Sequence, residues 1–413
     1  MRYLRNQIYC GIFYTGVYFG LWSAPSRHTI KSLGLSTRDF STDILKIALS
    51  LQEKGYEAYI VGGCLRDLLS KPKIKPKDFD VVTSALPDQV KKAFPRSRII
   101  GKRFRIVHVP AGRDIVEVST FRGRSSWFAN WRGTRYKNNI YGGIEQDAWR
   151  RDFSCNALYY DVKKGEVVDF TGGIADIKAK RLCIIGKPEK RFKDDPVRIL
   201  RALRFTAKTG FVLDQEAKDQ IQKKKGLLRE VSKDRLLLEV VKLFSQGHSK
   251  KSFQVLKEFG CLQILFLGYD RLGINLGHYM SFFALALNHI DQQYHQKKRL
   301  SSSFLFSVLL WPILEMHKKK QKSLNLFHYK KIVHRVLKFE SRYVAIPKKL
   351  QEAIKELWML QYAFETKAVP FSQERMRQTR FQYGYLLFTL RARNDELLTD
   401  KALLWQDMGL KNQ

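Results

Sequence analysis

The stretch "KPKDFDVVT", Lys75 to Thr83, sets two aspartates one residue apart at the start of an apolar run. Successive side chains on a strand point to opposite faces, so Asp78 and Asp80 share one face while Phe79 and Val81 take the other. Two carboxylates that close repel one another unless a divalent cation sits between them. A turn closing a Lys/Pro loop is the plainer reading of the same residues. The flanking sequence decides between the two.

Just upstream, "YEAYIVGG" (56–63) reads as a buried strand running into a Gly-Gly turn, and "CLRDLLS" (64–70) as a short helix. Gly62 and Gly63 let the backbone turn tightly and bring N–H groups close to an anion, and Arg66 adds charge from the following helix. A phosphate-binding turn beside a carboxylate pair is what transfer from a nucleoside triphosphate requires, because Mg²⁺ takes carboxylate and phosphate oxygens together. A third carboxylate is expected nearby. Glu117 in "DIVEVST" and Asp152 in "WRRDFSCNAL" are the two candidates. Each also has a structural reading, Glu117 paired with an arginine and Asp152 as a helix cap.

Farther out, "STDILKIALSLQEKG" (41–55) carries apolar residues at helical spacing between a Ser/Thr/Asp start and a terminal Gly, and predicts a capped helix. A strand at 78–84, a helix from Pro87 to about Phe94, and strands at 98–110 and 114–122 follow. The Gly-, Arg- and aromatic-rich run 123–143 has no periodicity and reads as a long loop, either closing over a substrate or lying on the surface. Past about Asp194 the pattern turns helical and stays so. The expected fold class is α+β, a head with a mixed β-sheet and helices followed by an all-helical remainder.

Composition narrows the function. In 413 residues, 44% hydrophobic and 13% aromatic content rules out a disordered chain, and 75 Lys+Arg against 39 Asp+Glu give a net charge of +36. A chain that basic meets polyanions, nucleic acid first and an anionic membrane surface second. The basic residues cluster at 223–225, 317–322 and 329–331, where a solvated helix face is the simplest reading of any one cluster. The five cysteines are scattered without a C-x-x-C pair, which fits reduced thiols and argues against a structural zinc site. Asn6 to Ser26 carries no charge. That stretch is read as an overextended start or a disordered leader, with membrane contact through residues 6–26 the less favoured alternative.

Taken in order, "YIVGGCLRDLL…KDFDVVTSALPDQV", "EVSTFRG", "IEQDAWRRDFSCNALYYD", "VVDFTGGIADIKAKRLCIIG" and "RFKDDPVRILRALRFTAKTGF" resemble the successive motifs of the class II nucleotidyltransferases, the superfamily of bacterial poly(A) polymerase and the CCA-adding enzyme. The resemblance implies that Asp78 and Asp80 hold the metal ions, two Mg²⁺ or alternatively Mn²⁺. It implies that Asp152 and Arg151 face the ribose and triphosphate, and that Gly62, Gly63 and Arg66 hold phosphates. Asp195, Arg198 and Arg201 match the family's E-D-x-x-R…R helix, which reads the incoming base. Here Asp194 stands where the family carries Glu. Helix geometry agrees, since residues three apart drift only about 60° per step and form one polar stripe, and an Asp acceptor beside an Arg donor can match a base edge.

Between the two relatives, "IIGKRFRIVHV" (99–109) resembles the poly(A) polymerase signature of two aliphatics, Gly, two basic residues, Phe, a basic residue and then a His. "LWMLQYAFE" and "RFQYGYLLFTLRARND" resemble its late helices, although the strongly basic tail that often ends such enzymes is absent at "MGLKNQ". The resemblance implies a polynucleotide adenylyltransferase adding AMP from ATP to RNA 3′ ends, with CCA addition to tRNA as the alternative and a non-catalytic RNA-binding protein behind it. The expected division is a leader (1–39), a nucleotidyltransferase head (40–175), a helical neck with the base-reading helix (176–250), and an RNA-binding body and tail (251–413). A cytoplasmic monomer with little RNA sequence preference and no DNA partner is expected.

Overall fold

A computed structural model of the chain describes residues 24–70, 76, 79–101, 105–112, 114–123, 141–298, 301–321, 323–366, 371–393 and 395–407. These fall into two compact units. One runs to Arg191 and takes in Phe211–Lys218; the other holds Phe192–Gly210 and continues from Asp219.

The first unit is built on a sheet of eight strands: β1 (Ser26–Thr29), β2 (Ala58–Val61), β3 (Asp80–Thr83), β4 (Arg98–Ile100), β5 (Ile106–Ala111), β6 (Asp114–Thr120), β7 (Leu158–Asp161) and β8 (Glu166–Asp169). Their spatial order is β1-β8-β7-β2-β3-β6-β5-β4. Only the β3–β6 pair is parallel, so the sheet is mixed as expected. The central β2 and β7 are buried at every position, which explains why "AYIV" reads as an unbroken apolar run without alternation. Helix α1 (Thr42–Glu53) buries Ile44, Ile47, Ala48 and Leu51, the i, i+3, i+4, i+7 set of one helical face. Helices of this unit also include α2 (Gly63–Ser70), α3 (Pro87–Ala93), α4 (Ile144–Arg150) and α5 (Gly173–Lys178). Tyr59, Val61, Val82, Phe121, Ala148 and Tyr159 form the core on which the site rests.

Two sequence expectations need correcting. Residues 1–39 were read as lying outside the head, yet within that stretch Ser26–Thr29 pairs antiparallel with Glu166–Asp169, and Leu35 is buried. The expected leader and membrane contact otherwise fall on residues 1–23, outside the described residues. The chain beyond Asp194 is also not wholly helical: Val212–Leu213 (β10) pairs in parallel with Arg181–Leu182 (β9). That pairing, and the bridge between Phe153 and Ile184, tie the chain past residue 175 to the first unit. Most of the loop 123–143 and Lys102–Phe104 of the signature stretch lie outside the described residues.

The second unit is helical. The elements used below are α6 (Val197–Thr209), α7 (Lys233–Phe244), α8 (Ser249–Glu258), α9 (Trp311–Lys319), α10 (Leu326–Glu340), α11 (Lys348–Thr366), α12 (Thr379–Ala392) and α13 (Glu396–Asp407). Phe364 on α11 anchors one core, with Phe381 and Phe388 of α12 and Trp405 of α13 packed round it at ring separations of 5.2–5.4 Å. No helix among the described residues is long and apolar enough to cross a membrane.

Candidate active site

The site grows from the end of β2. Gly62 has φ +90°, a conformation that a residue with a Cβ enters only under strain. A Cβ there would lie 3.6 Å from Asp80 Oδ2 and 3.9 Å from Arg151 Nη1. The bare turn is therefore where a carboxylate from β3 and a guanidinium from the end of α4 converge. Asp80 opens β3 opposite Val61 and is exposed, whereas Val81, Val82 and Thr83 behind it are buried. The strand anchors itself in the core and pushes its first carboxylate out of the sheet.

Asp80 also stands in register with Glu117 on the parallel neighbour β6. In-register residues on adjacent strands sit about 5 Å apart and leave on the same face, so Glu117 belongs to the same side as Asp80. Its carboxylate is 52% exposed, and Oε1 lies 3.6 Å from Nε2 of His108 on β5. Asp78 lies outside the described residues.

Arg151 is held from behind. Its Nε donates to Asp147 Oδ2 (3.1 Å) and to the Tyr159 hydroxyl (2.9 Å), and Nη2 donates to Asp147 Oδ2 (3.0 Å). Asp147 is almost fully buried and also accepts from Arg150 Nε (3.0 Å), the Tyr159 hydroxyl (2.9 Å) and the Arg122 N–H (3.2 Å). Burial alone would push the Asp147 carboxyl up. The Arg151 and Arg150 charges, the Arg122 N–H and Tyr159 outweigh it and hold the pKa below the usual carboxylate value.

Arg66 takes a different place from a surface phosphate ligand. It is buried, folded back against Gly63, with Nη1 donating to Asn156 Oδ1 (2.6 Å) and Nε to Asp67 Oδ1 (2.8 Å). Its charge bears on the Gly62–Gly63 turn from beneath. Asn156 links it to the neighbouring arginine, since its carbonyl accepts from Arg151 Nη1 at 3.4 Å. Asp152 is placed beside the isolated bridge between Phe153 and Ile184, its carbonyl accepting from the Ile185 N–H at 3.0 Å, and its Oδ1 lies 3.9 Å from Arg191 Nη2. Gly62, Asp80 and Arg151 are thus brought together, with Glu117 in register beside Asp80.

The proposed base-reading residues lie in the second unit. On α6, Ile199, Leu200 and Leu203 are fully buried, while Arg198 and Arg201 remain partly exposed on the other face. Asp195 precedes the helix, and both of its carboxylate oxygens accept from Arg235 Nη2 of α7, at 3.0 and 2.9 Å. Arg201 Nη1 lies 3.9 Å from Glu239 Oε1, and the buried Glu239 also accepts from Arg204 Nε at 3.1 Å. Asp195 and Arg201 are thus each met by an α7 side chain.

Sequence reasoning missed Asp147, Asn156, Tyr159, Arg235 and Glu239. Asp147 left a signal, standing three and four residues before Arg150 and Arg151 on a helix. The others are brought in by tertiary contact and left none.

Among the described residues no three His, Cys, Asp or Glu side chains gather to hold a metal. A Mg²⁺ site built from one or two carboxylates and substrate phosphate does not need three. The exposed carboxylate of Asp80 beside the Gly62–Gly63 turn fits such an ion.

Three family models match the chain. They are the poly A polymerase head domain over residues 58–183, the probable RNA and SrmB-binding site of polymerase A over 210–272, and the polymerase A arginine-rich C-terminus over 327–413. Poly(A) polymerase I of Salmonella typhimurium is 36% identical over 389 residues, covering 90% of this chain and 83% of that protein. The chain belongs to the poly(A) polymerase family. The poly(A) polymerase I of Haemophilus influenzae is 37% identical over 87% of the chain and 82% of its own length. By contrast, the CCA-adding enzyme of Lactobacillus helveticus matches at 36% identity over only 51% of this chain and 52% of its own. Among solved structures, the Bacillus stearothermophilus CCA-adding enzyme in complex with CTP superposes with a TM-score of 0.60 at 23% identity, covering 87% of this chain and 81% of that one. A CCA-adding enzyme complexed with ATP gives 0.61 at 19%, covering 91% and 86%. At those identities the likeness is one of fold: poly(A) polymerase shares its scaffold with CCA addition.

Proposed function

We propose that the chain is a polynucleotide adenylyltransferase that adds AMP from ATP to RNA 3′ ends without a template. The observation that carries this reading is the reach of the likeness: poly(A) polymerase I matches over 90% of the chain, the CCA-adding enzyme over 51%. The 3′-hydroxyl oxygen bonds to the α-phosphorus, the bond to the bridging oxygen breaks, and pyrophosphate leaves, with no covalent enzyme intermediate. Two Mg²⁺ ions, held by Asp78 and Asp80 when bound, would polarise the hydroxyl and neutralise the leaving group. The rest is positioning by protein groups. The Gly62–Gly63 N–H groups and Arg151 receive triphosphate oxygens, Arg66 supports the turn from below, and Asp152 orients the ribose. Glu117 is the favoured third carboxylate because of its register with Asp80.

For the base, Asp195 accepts and Arg198 and Arg201 donate. That pattern matches the amino group beside a ring nitrogen that adenine and cytosine share, and mismatches guanine and uracil. Separating adenine from cytosine then rests on where those groups are held, which Arg235 and Glu239 fix. A monomer working in the cytoplasm, where ATP and RNA are both present, completes the proposal.

Asp80→Asn tests the chemistry. With the carboxylate neutralised, single-turnover AMP incorporation should fall about a hundred- to a thousandfold, the loss seen when one preorganised electrostatic group is removed, while ATP-independent RNA binding stays unchanged. Incorporation within tenfold of the parent would exclude Asp80 from the reacting centre.

A further inference from the structure

Helix α10 presents a face that the adenylyl-transfer site does not use. Tyr329, Ile332, Val333, Val336 and Leu337 are buried, and after Phe327 every exposed position is basic: Lys330, Lys331, His334, Arg335 and Lys338. The helix's single carboxylate, Glu340, is 1% exposed and takes no part in this face. None of Lys330, Lys331, Arg335 and Lys338 has an ion-pair partner among the described residues. Lys331 and Arg335 are four apart and Arg335 and Lys338 three apart, so like charges stack along the helix, an arrangement that destabilises it. At the end of α9, the neighbouring imidazole of His317 reports the same field. Burial first, then the charges of Arg335 and Lys320, hold its pKa below the usual value. The end of α9, at His317 and Lys320, thus comes within electrostatic reach of Arg335 on α10.

An aromatic ring stands at the head of this patch. Phe327 is 60% exposed, and Lys331 Nζ lies 4.2 Å from its ring centroid. A basic strip beside an accessible ring is the make-up of a single-strand binding surface, in which phosphates meet cations and a base stacks on the ring. An interfacial membrane helix would instead carry an apolar stripe along its length, and here only Leu326 and Phe327 are apolar and exposed.

We propose that the exposed face of α10 is a docking track for single-stranded RNA, with Lys330, Lys331, Arg335 and Lys338 on phosphates and Phe327 stacking a base. From Phe327 to Lys338 the face runs about 16 Å, enough for roughly four or five stacked nucleotides. The proposal deepens the reading that this chain extends RNA, by naming where RNA is held away from its 3′ end.

The test is equilibrium binding of the full chain to a fluorescent 20-nucleotide oligo(A), without ATP, across a series of salt concentrations. The parent is compared with Phe327→Ala and with the triple variant Lys331→Gln, Arg335→Gln, Lys338→Gln. The triple variant should bind at least tenfold more weakly and lose about two from the slope of log K against log salt, at about 0.7 per phosphate. Phe327→Ala should bind about tenfold more weakly with its slope unchanged. That split is one a general loss of structure would not give, and thermal unfolding of each variant checks it. Binding within twofold of the parent for both variants would overturn the proposal. So would loss of binding to phosphatidylglycerol vesicles with RNA binding kept, which would make the face a membrane contact. Because no nucleotide is present, failure here is separate from failure of AMP addition, which is measured on the parent with ATP.

Discussion

Asp147 gives the sharpest handle on how the site is held. Asp147→Ala removes a buried carboxylate that accepts from Arg122, Arg150, Arg151 and Tyr159. Breaking one partner of a buried ion pair costs about 3–5 kcal/mol. Arg150 and Arg151 keep 33% and 22% exposure, so water recovers part of their charge, and about 3 kcal/mol is the better expectation. At about 2–4 °C per kcal/mol for a unit of this size, the melting point should fall by roughly 6–12 °C. Asp147→Asn keeps the shape and loses the charge, and should fall about half as far. The functional consequence is separate: Arg151 loses the partner that aims it at Gly62, so kcat/KM for ATP should drop about 10- to 100-fold at a temperature where all variants are folded. Urea unfolding followed by circular dichroism reads the first effect, and steady-state AMP incorporation reads the second. Stability within 0.5 kcal/mol of the parent, or full kcat/KM despite lost stability, would refute the argument.

Gly62→Ala places a methyl group in ordinary contact with Asp80 and Arg151 but at φ +90°. The strain, about 1–2 kcal/mol, should appear as a stability loss of that size in urea unfolding and a roughly tenfold lower kcat, and an unchanged enzyme would mean that the turn does not need glycine. Glu340 accepts from the Gly268 N–H at 2.8 Å, and burial pushes its carboxyl up to about 7 despite the backbone N–H groups that favour the charge. Its folded pKa lies above the unfolded one, so the native state holds the extra proton. Its contribution to stability is full below about pH 4.5 and is lost as pH rises through 7. Glu340→Gln removes that dependence. The variant's stability relative to the parent should rise by about 2 kcal/mol between pH 5 and pH 8, and parallel curves would contradict the assignment.

The sequence made the centre of the head readable because its signals are local. The apolar run "AYIV", the paired glycines and the aspartate opening "DVVT" announce a strand, a turn and a projecting carboxylate within a few residues of one another. The helices past residue 194 were legible for the same reason, their buried positions recurring every three or four residues. Long-range pairing hid the rest. Ser26–Thr29 becomes a strand because Glu166–Asp169 offers it an edge, and Val212–Leu213 because Arg181–Leu182 does. Neither stretch carries enough alternation to call for a strand alone. The site followed the same division. Gly62, Asp80 and Arg151 could be read from motifs. The groups that hold Arg151, Asp195 and Arg201 in place come from the Asn156 carbonyl and the side chains of Tyr159, Arg235 and Glu239, which only the fold brings near. Arg66 shows the limit of the motif, since its position was legible but its burial was not.

The choice of nucleotide tests the central claim most directly. Purified chain with Mg²⁺ would be given labelled ATP or CTP in separate reactions, on an unstructured RNA and on a tRNA lacking its CCA end. Long A-tails on both RNAs, with little CTP used, are the predicted result. Incorporation of CTP that stops after two residues on the tRNA alone, with no A-tail made from ATP, would contradict the account and make this chain a CCA-adding enzyme.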